Sequence, residues 1–265
     1  MSFRINSLAD LISKRTPEVY EINELPKIVQ WTSYAKAKAS AVSSLVREMY
    51  GSSYEWYGFT IAHDSKPHII VDIGLPENAR NDHAYTKIEP EQIGKFCEKL
   101  PDEYVINGWI HSHGTMGVFF SGTDMINHIS VLDFVTTELK LPVKKQEVLA
   151  ENLTTLVEGE FSKSDMKEGS LTVITDKPVG KGTALETIMG GFAYGMVIVD
   201  SGQTGQSIYY KYTSMLTQQE KVTFREKADI RIVSVPQQFG PNERARLREE
   251  VKKKIRPDFG GYIWN

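Results

Sequence analysis

The chain is poor in cysteine and lacks a long hydrophobic run, and both shortages exclude classes of protein. Cys97 is the single cysteine among 265 residues, so an intramolecular disulfide framework and a multi-cysteine zinc site are excluded. No run of about 18 apolar residues is present, and the N-terminal segment lacks the apolar centre of a signal peptide. We therefore expect a protein of the reducing cytoplasm, with no membrane partner.

The chain also lacks a large excess of charge of either sign. The formal net charge is −3, which gives no overall attraction to nucleic acid or to a membrane surface. Residues 221–256 are locally basic, with eleven Lys or Arg against five Asp or Glu. No aromatic or glycine motif of a nucleic-acid module accompanies them. We interpret the segment as a solvated helix surface, although an acidic partner stays an alternative.

Hydrophobic residues make up 40% of the chain, which is long enough to bury a substantial core. Helical and strand-like patterns are mixed along it, which predicts an α/β protein. The predicted helices cover residues 6–15, 28–50, 87–100, 122–140 and 242–255, and Asn242 can cap the last of them. The predicted strands include residues 18–25, 53–62, 105–110, 171–175, 191–200, 207–215 and 229–235.

Histidine is scarce, yet two of the six histidines lie two residues apart at the end of a predicted strand. Val105, Ile106, Trp109 and Ile110 predict that strand. Residues two apart on a strand project to the same face, so the sequence predicts that His111 and His113 point together.

A predicted helix begins shortly after this histidine pair. Ser121 opens the segment Ser-Gly-Thr-Asp and is placed to cap the helix, with Asp124 in the first turn. Apolar residues then recur at helical spacing: Met125, Ile129, Leu132, Val135 and Leu139. The Asp124 carboxylate can therefore turn back toward the end of the strand.

Two neutral imidazoles and one carboxylate with an open fourth position are the ligand set of a catalytic zinc. The plain alternatives are a pair of surface histidines and a helix capping box in which Asp replaces Glu. The joint pattern of His-x-His, seven residues and Ser-x-x-Asp should arise by chance in on the order of one chain in two thousand of this length. We therefore predict that His111, His113 and Asp124 bind a metal.

This pattern resembles the signature of the JAMM metalloproteases, the catalytic members of the MPN domain family. The family also has an upstream glutamate, which Glu55 of EWYGFTIA matches. The segments VDIGLPENA (71–79) and KIEPEQIGKFCEKL (87–100) resemble the family's next strand and helix. The resemblance covers residues 18–138 and resumes at 193–213, with Gly114 standing where most members have proline.

The resemblance implies an α/β fold of the MPN/JAMM type, related to cytidine deaminases, in which helices flank a mixed, curved β-sheet. Residues 1–17 would be an N-terminal extension and 18–220 the catalytic domain. Residues 141–192 would be an insertion in that domain, and residues 221–265 a strand–helix extension packed on the core. The insertion suits a lid or a substrate guide, or it is a loose decoration.

The resemblance also implies an activity, a zinc-dependent hydrolysis of amide bonds by an isopeptidase or peptidase. His111, His113 and Asp124 would hold Zn²⁺, Glu55 would be the base that activates water, and Ser121 would donate a hydrogen bond to the oxyanion. The implied substrate is the C-terminal tail of a ubiquitin-like protein or a related peptide conjugate. The alternatives are a non-catalytic MPN-type interaction module and a cell-wall or phage-associated zinc peptidase.

Two residues near this pattern allow other interpretations. Glu55 could be an ordinary residue on the wet face of a strand. His128 follows Asp124 by one helical turn and could support the site or face a substrate. A second zinc is not expected, because no histidine follows His128 and the chain has no second cysteine.

Overall fold

The computed structural model describes residues 18–77, 90–150, 154–157, 172–175 and 182–256. The helices are α1 (Ser33–Tyr50), α2 (Pro90–Cys97), α3 (Gly122–Glu138) and α4 (Pro241–Lys254). The strands of the first half are β1 (Val19–Glu21), β2 (Ile28–Thr32), β3 (Tyr57–His63), β4 (Ile69–Ile70), β5 (Asp72–Gly74) and β6 (Tyr104–Ser112). The remaining strands are β7 (Lys140–Ala150), β8 (Thr154–Val157), β9 (Thr172–Thr175), β10 (Gly182–Ile198), β11 (Thr204–Ser214), β12 (Glu220–Arg225) and β13 (Asp229–Val233). The helix predicted for 6–15 lies outside the described residues.

The chain forms two compact units. The larger unit consists of residues 25–141, 190–212 and 220–265. The smaller unit consists of residues 1–24, 142–189 and 213–219. The domain boundaries expected from the resemblance stay a prediction, since this division follows packing alone.

The larger unit contains a mixed sheet at its centre. Strand β6 pairs parallel with β10 and antiparallel with β3, and β3 pairs antiparallel with β5. Strand β11 pairs with β10 and with β12. A separate all-parallel sheet has the order β13, β2, β4. This arrangement confirms the predicted α/β class with a mixed sheet flanked by helices.

Apolar side chains cover both faces of the mixed sheet. Alternate residues of β6 point to opposite faces, so Ile110 belongs to the hydrophobic cluster that contains α1 and α4, and Trp109 to the cluster with α2 and α3. Leu247 and Val251 of α4 are 2% and 0% exposed, as their four-residue spacing predicts. Strand β6 is therefore held rigidly between two helical layers.

The helix predicted from residue 28 is wrong at its beginning. Residues Ile28–Thr32 form strand β2, which pairs parallel with β4 and β13, and the helix begins at Ser33. The segment is rich in β-branched and aromatic residues, and sheet pairing outweighs the alanine-rich pattern that follows. The Thr32 hydroxyl accepts a hydrogen bond from the Ala35 amide at 3.1 Å and so fixes the boundary.

The cap of α4 also differs from the prediction. Asn242 does not cap this helix; the N-cap residue is Gly240. The Gly240 amide donates to the Glu243 carboxylate at 3.2 Å, and Pro241 occupies the first helical position. Proline has no amide hydrogen to satisfy there, so the helix begins two residues earlier than a cap at Asn242 would allow.

The predicted apolar stripe of α3 is only half correct. Leu132 and Val135 are 0% and 2% exposed, whereas Met125 and Ile129 are 40% and 43% exposed. The first turns of α3 direct Asp124 and the following polar residues inward instead. Because polar residues occupy the inward face at the start of α3, the apolar residues Met125 and Ile129 lie at the surface.

The described part of the smaller unit includes two strand pairs. Strand β1 pairs antiparallel with β7, and β8 pairs parallel with β9, which confirms the strand predicted for 171–175. The Glu186 side chain accepts from the Gln146 amide at 2.6 Å and from the Ser214 hydroxyl. These contacts pair a carboxylate that is 6% exposed.

Among the described residues, no helix combines the length and the apolar character needed to cross a bilayer.

Candidate metal centre

The candidate centre lies where strand β6 ends and helix α3 begins. His111 is the penultimate residue of β6, with Tyr57 of β3 and Val197 of β10 opposite it in the sheet. His113 follows the strand directly, and its amide donates to the Ile198 carbonyl at 3.0 Å. Pairing on both sides thus fixes the backbone that presents both imidazoles.

Helix α3 supplies the third side chain through its first turn. Ser121 is the N-cap, and its hydroxyl accepts from the Asp124 amide at 3.2 Å. The Asp124 carboxylate accepts in return from the Ser121 amide at 2.6 Å and from the Ser121 hydroxyl at 2.8 Å. The predicted cap is confirmed, and the box orients the carboxylate.

The three side chains converge on one point. The Nε2 atoms of His111 and His113 are 3.0 Å apart. His111 Nε2 lies 3.2 Å from Asp124 Oδ1, and His113 Nε2 lies 3.6 Å from Asp124 Oδ2. Ligand atoms of a tetrahedral zinc, with bonds of about 2.1 Å, are separated by about 3.4 Å. The buried triad can therefore hold a metal ion, and its donor set fits zinc.

Burial and charge act in opposite directions on the triad. Burial lowers the pKa of His111 even though the Asp124 carboxylate favours its protonated form. Burial opposes protonation of His113 as well, but hydrogen bonds with Asp124 and the Gly117 carbonyl raise the pKa of that imidazole. Burial would raise the pKa of Asp124, but both imidazoles hold it well below its usual value. Asp124 is therefore ionised at neutral pH and brings negative charge to the centre.

A backbone contact orients the second imidazole. His113 Nδ1 lies 3.2 Å from the Gly117 carbonyl oxygen. If Nδ1–H donates to this carbonyl, Nε2 keeps its lone pair. That lone pair, on the side of Asp124, is then available to bind a metal ion.

Gly114 directly follows His113 in the chain. Its φ of +54° is in the left-handed region, which proline cannot adopt. A Cβ at this position would lie 2.9 Å from Ser53 Cβ. The chain after His113 therefore turns in a way that depends on glycine, close to the segment that carries Glu55.

Glu55 does not lie on the predicted strand, because β3 begins only at Tyr57. Ser112, which stands between the two histidines, holds the segment in place. Its amide donates to the Trp56 carbonyl at 2.8 Å, and its hydroxyl accepts from the Trp56 amide at 3.1 Å. The same hydroxyl lies 3.3 Å from the Tyr54 carbonyl. Both neighbours of Glu55 are thereby tied to the strand end that carries the imidazoles.

Glu55 is 7% exposed and faces the same cavity as His113. The cavity has a volume of about 420 Å³. The Glu55 carboxylate is near enough to His113 to contribute to the raised pKa of that imidazole. A carboxylate beside a cation site and open to a cavity is placed for proton transfer.

His128 supports the centre through Trp109, which stacks on His111, and it does not line the cavity. It is 1% exposed, and its Nδ1 accepts from the Trp109 indole N–H. The Trp109 ring stacks on His111 with centroids 4.4 Å apart, and Tyr209 stacks on His128 at 4.6 Å. Burial lowers the pKa of His128 well below its usual value, so this imidazole is neutral. The interpretation of His128 as a substrate-facing residue is therefore wrong.

The other histidines predicted to be peripheral lie away from the triad. The His63 side chain is 44% exposed and contacts Asp64. The His68 carbonyl accepts from the Tyr194 hydroxyl at 2.8 Å, which is a structural contact. His83 lies outside the described residues.

Sequence patterns alone missed three residues that shape this centre. Ser112 connects segments 56 residues apart in the chain, and Trp109 supports His111 through ring stacking. Arg47 lines the cavity beside Glu55. Of these three residues, Ser112 alone has a local sequence signal, because it lies between His111 and His113.

No family model matches the sequence. A curated relative, the NAD(+) hydrolase TcpA of Theionarchaea archaeon (strain DG-70-1), is 32% identical over 77 residues. The matched segment makes up 29% of this chain and 23% of TcpA. The chain thus spans less than a quarter of that relative.

Proposed function

We propose that the protein is a zinc-dependent hydrolase of amide bonds, with the site arrangement and the MPN-type fold of the JAMM metalloproteases. One observation supports this more than any other. Three buried ligand atoms lie within 4.8 Å of one another, and Glu55 faces the cavity that His113 also lines. A metal triad with an adjacent carboxylate is the apparatus that metal-assisted hydrolysis needs.

A zinc ion held by His111, His113 and Asp124 would supply a water of lowered pKa and polarise the substrate carbonyl. Glu55 accepts the proton of that water as its oxygen bonds to the carbonyl carbon. Ser121 donates a hydrogen bond to the oxyanion that develops on the carbonyl oxygen. Glu55 then delivers its proton to the amide nitrogen and the C–N bond breaks. The new carboxylic acid gives its remaining proton to the amine, so a carboxylate and an ammonium group leave.

The resemblance to the JAMM family suggests the substrate class. We propose the C-terminal tail of a ubiquitin-like protein, or a related peptide conjugate, linked through an amide bond. An extended tail could pair its backbone with a free sheet edge. A cell-wall or phage-associated peptide substrate would use the same triad and the same Glu55.

The similarity to TcpA is compatible with an enzyme, since that protein is named a hydrolase. We do not assign hydrolysis of NAD(+) to this chain, because the match spans 23% of TcpA. A non-catalytic interaction module is the second candidate. That function would give no reason for Glu55 to be buried beside His113 and to share one cavity with it, next to a buried triad.

The substitution Glu55→Gln tests the proposal directly. We expect this variant to retain zinc but to lose hydrolysis of an amide-linked tail, because the amide cannot accept a proton and the three ligands are unchanged. Metal content and turnover are measured on the same preparation. The matched control is Glu98→Gln, which changes an exposed residue directly after α2 and should leave both quantities unaltered. Full turnover in Glu55→Gln would refute the role of Glu55.

A further inference from the structure

The cavity that Glu55 and His113 share has a cation on its wall. Nine residues line it: Arg47, Gly51, Ser52, Ser53, Glu55, His113, Gly114, Thr115 and Met116. Arg47 is the single permanently charged cation in this set. The proposed hydrolysis assigns it no part.

Arg47 is held in place by an ion pair with Asp200. Its Nη1 lies 3.6 Å from Asp200 Oδ2, which is longer than a hydrogen bond. Asp200 itself is fixed, because its carboxylate accepts from the Ser53 hydroxyl and its amide donates to the Gly114 carbonyl at 2.8 Å. The Asp200 side chain is 12% exposed and that of Arg47 is 55% exposed. The Asp200 carboxylate therefore positions the guanidinium of Arg47, whose other N–H groups face solvent and the cavity.

The contacts of Asp200 connect Arg47 to the candidate centre. Gly114 directly follows His113, and Ser53 belongs to the segment that leads to Glu55. A guanidinium in this position presents a fork of N–H donors that matches the geometry of a carboxylate. Among the cavity residues, Glu55 would repel such an anion, and Arg47 would bind it.

We propose that Arg47 binds a carboxylate on the leaving-group side of the substrate. The inference rests on the proposed hydrolysis, in which Glu55 delivers its proton to the departing amine and so marks that side of the cavity. Arg47 and Glu55 both line this cavity. The preferred substrates then release an amine that carries an acidic group, as an amino acid with a free α-carboxylate does.

Two peptides that differ in one group test this. Acetyl-Gly-Gly-Ala with a free C-terminal carboxylate is compared with its C-terminal carboxamide, using the zinc-loaded 265-residue chain. Dissociation constants are measured by calorimetry, and kcat and KM are measured separately. We expect the wild type to favour the carboxylate by about tenfold or more in binding, and Arg47→Gln to lose that preference. Arg47→Lys should recover part of it, since the charge remains and the fork is lost.

Two controls identify the cause of any preference. Arg248→Gln removes an exposed guanidinium of α4 that pairs with Glu48 of α1, and this variant should keep the full preference. Zinc-stripped protein should also keep it, which excludes binding of the carboxylate by the metal. Equal binding of the two peptides by the wild type, or an unchanged preference in Arg47→Gln, would overturn the assignment. A preference that depends on Arg47 without cleavage of either peptide would refute the proposed hydrolysis and leave the carboxylate site intact.

Discussion

At the scale of single residues, Ser121 has two possible tasks that share one hydroxyl. The hydroxyl donates to the Asp124 carboxylate at 2.8 Å and accepts from the Asp124 amide at 3.2 Å. It therefore caps α3 and orients the Asp124 carboxylate, which lies beside both imidazoles. To donate to an oxyanion, its hydrogen must turn from Asp124 toward the substrate. A hydroxyl rotor makes that movement at little cost.

Ser121→Ala separates these tasks. If Ser121 donates to the oxyanion, kcat should fall by about a hundredfold or more. Loss of the cap should lower the free energy of unfolding by about 1 kcal/mol. Turnover of a tail substrate and urea unfolding measure the two effects. A drop in stability with nearly unchanged kcat would leave Ser121 as a cap only.

The sequence indicates that the three triad side chains converge, because each of them follows a local rule. His111 and His113 share a face through the two-residue period of a strand, and Asp124 lies in the first turn of a capped helix. The geometry around Glu55 follows no such rule. Its position depends on hydrogen bonds from Ser112 to a segment 56 residues away, which leave no periodic signal.

At the scale of elements, strand β10 and helix α3 meet around one glycine. A Cβ at Gly195 would lie 2.0 Å from His128 Cε1, far inside van der Waals contact. His128 cannot move away easily, because its ring is enclosed by Trp109, Phe120 and Tyr209. Only a residue without a side chain lets the helix approach the sheet at this point.

Gly195→Ala should therefore destabilise the protein by about 1–3 kcal/mol through overpacking. It should also weaken metal binding, since displacing His128 disturbs the Trp109 ring that stacks on His111. Thermal unfolding and zinc titration measure the two effects. Gly94→Ala is the matched control, because its Cβ would meet nothing within 4 Å and lies within α2. That variant should be neutral or slightly stabilising, and a Gly195→Ala protein as stable as this control would contradict the packing argument.

Sequence patterns predict which helices and strands form better than they predict the residues at which these elements begin and end. The strands at 105–110 and 229–235 and the helix after Ser121 are present close to their predicted bounds. The helix predicted from Ile28 failed because its first five residues pair with β4 and β13, which are distant in the chain. Local propensity carries no information about a pairing strand, such as β13, that lies about 200 residues later in the chain.

At the scale of the whole molecule, the larger unit contains the complete candidate centre. The triad joins the end of β6 to the start of α3, so a bound ion would cross-link the sheet to a helix that packs on it. An ion that binds the folded state alone stabilises that state in proportion to the logarithm of its concentration. Metal binding, stability and hydrolysis are thus expected to change together.

Metal content measures the central claim most directly. The 265-residue chain is equilibrated with zinc, dialysed, and analysed by inductively coupled plasma mass spectrometry beside Asp124→Ala. We predict about one zinc per chain in the wild type and almost none in the variant, with both proteins folded by circular dichroism. A folded wild-type protein that retains no metal, or an Asp124→Ala protein that retains as much as the wild type, would contradict the account.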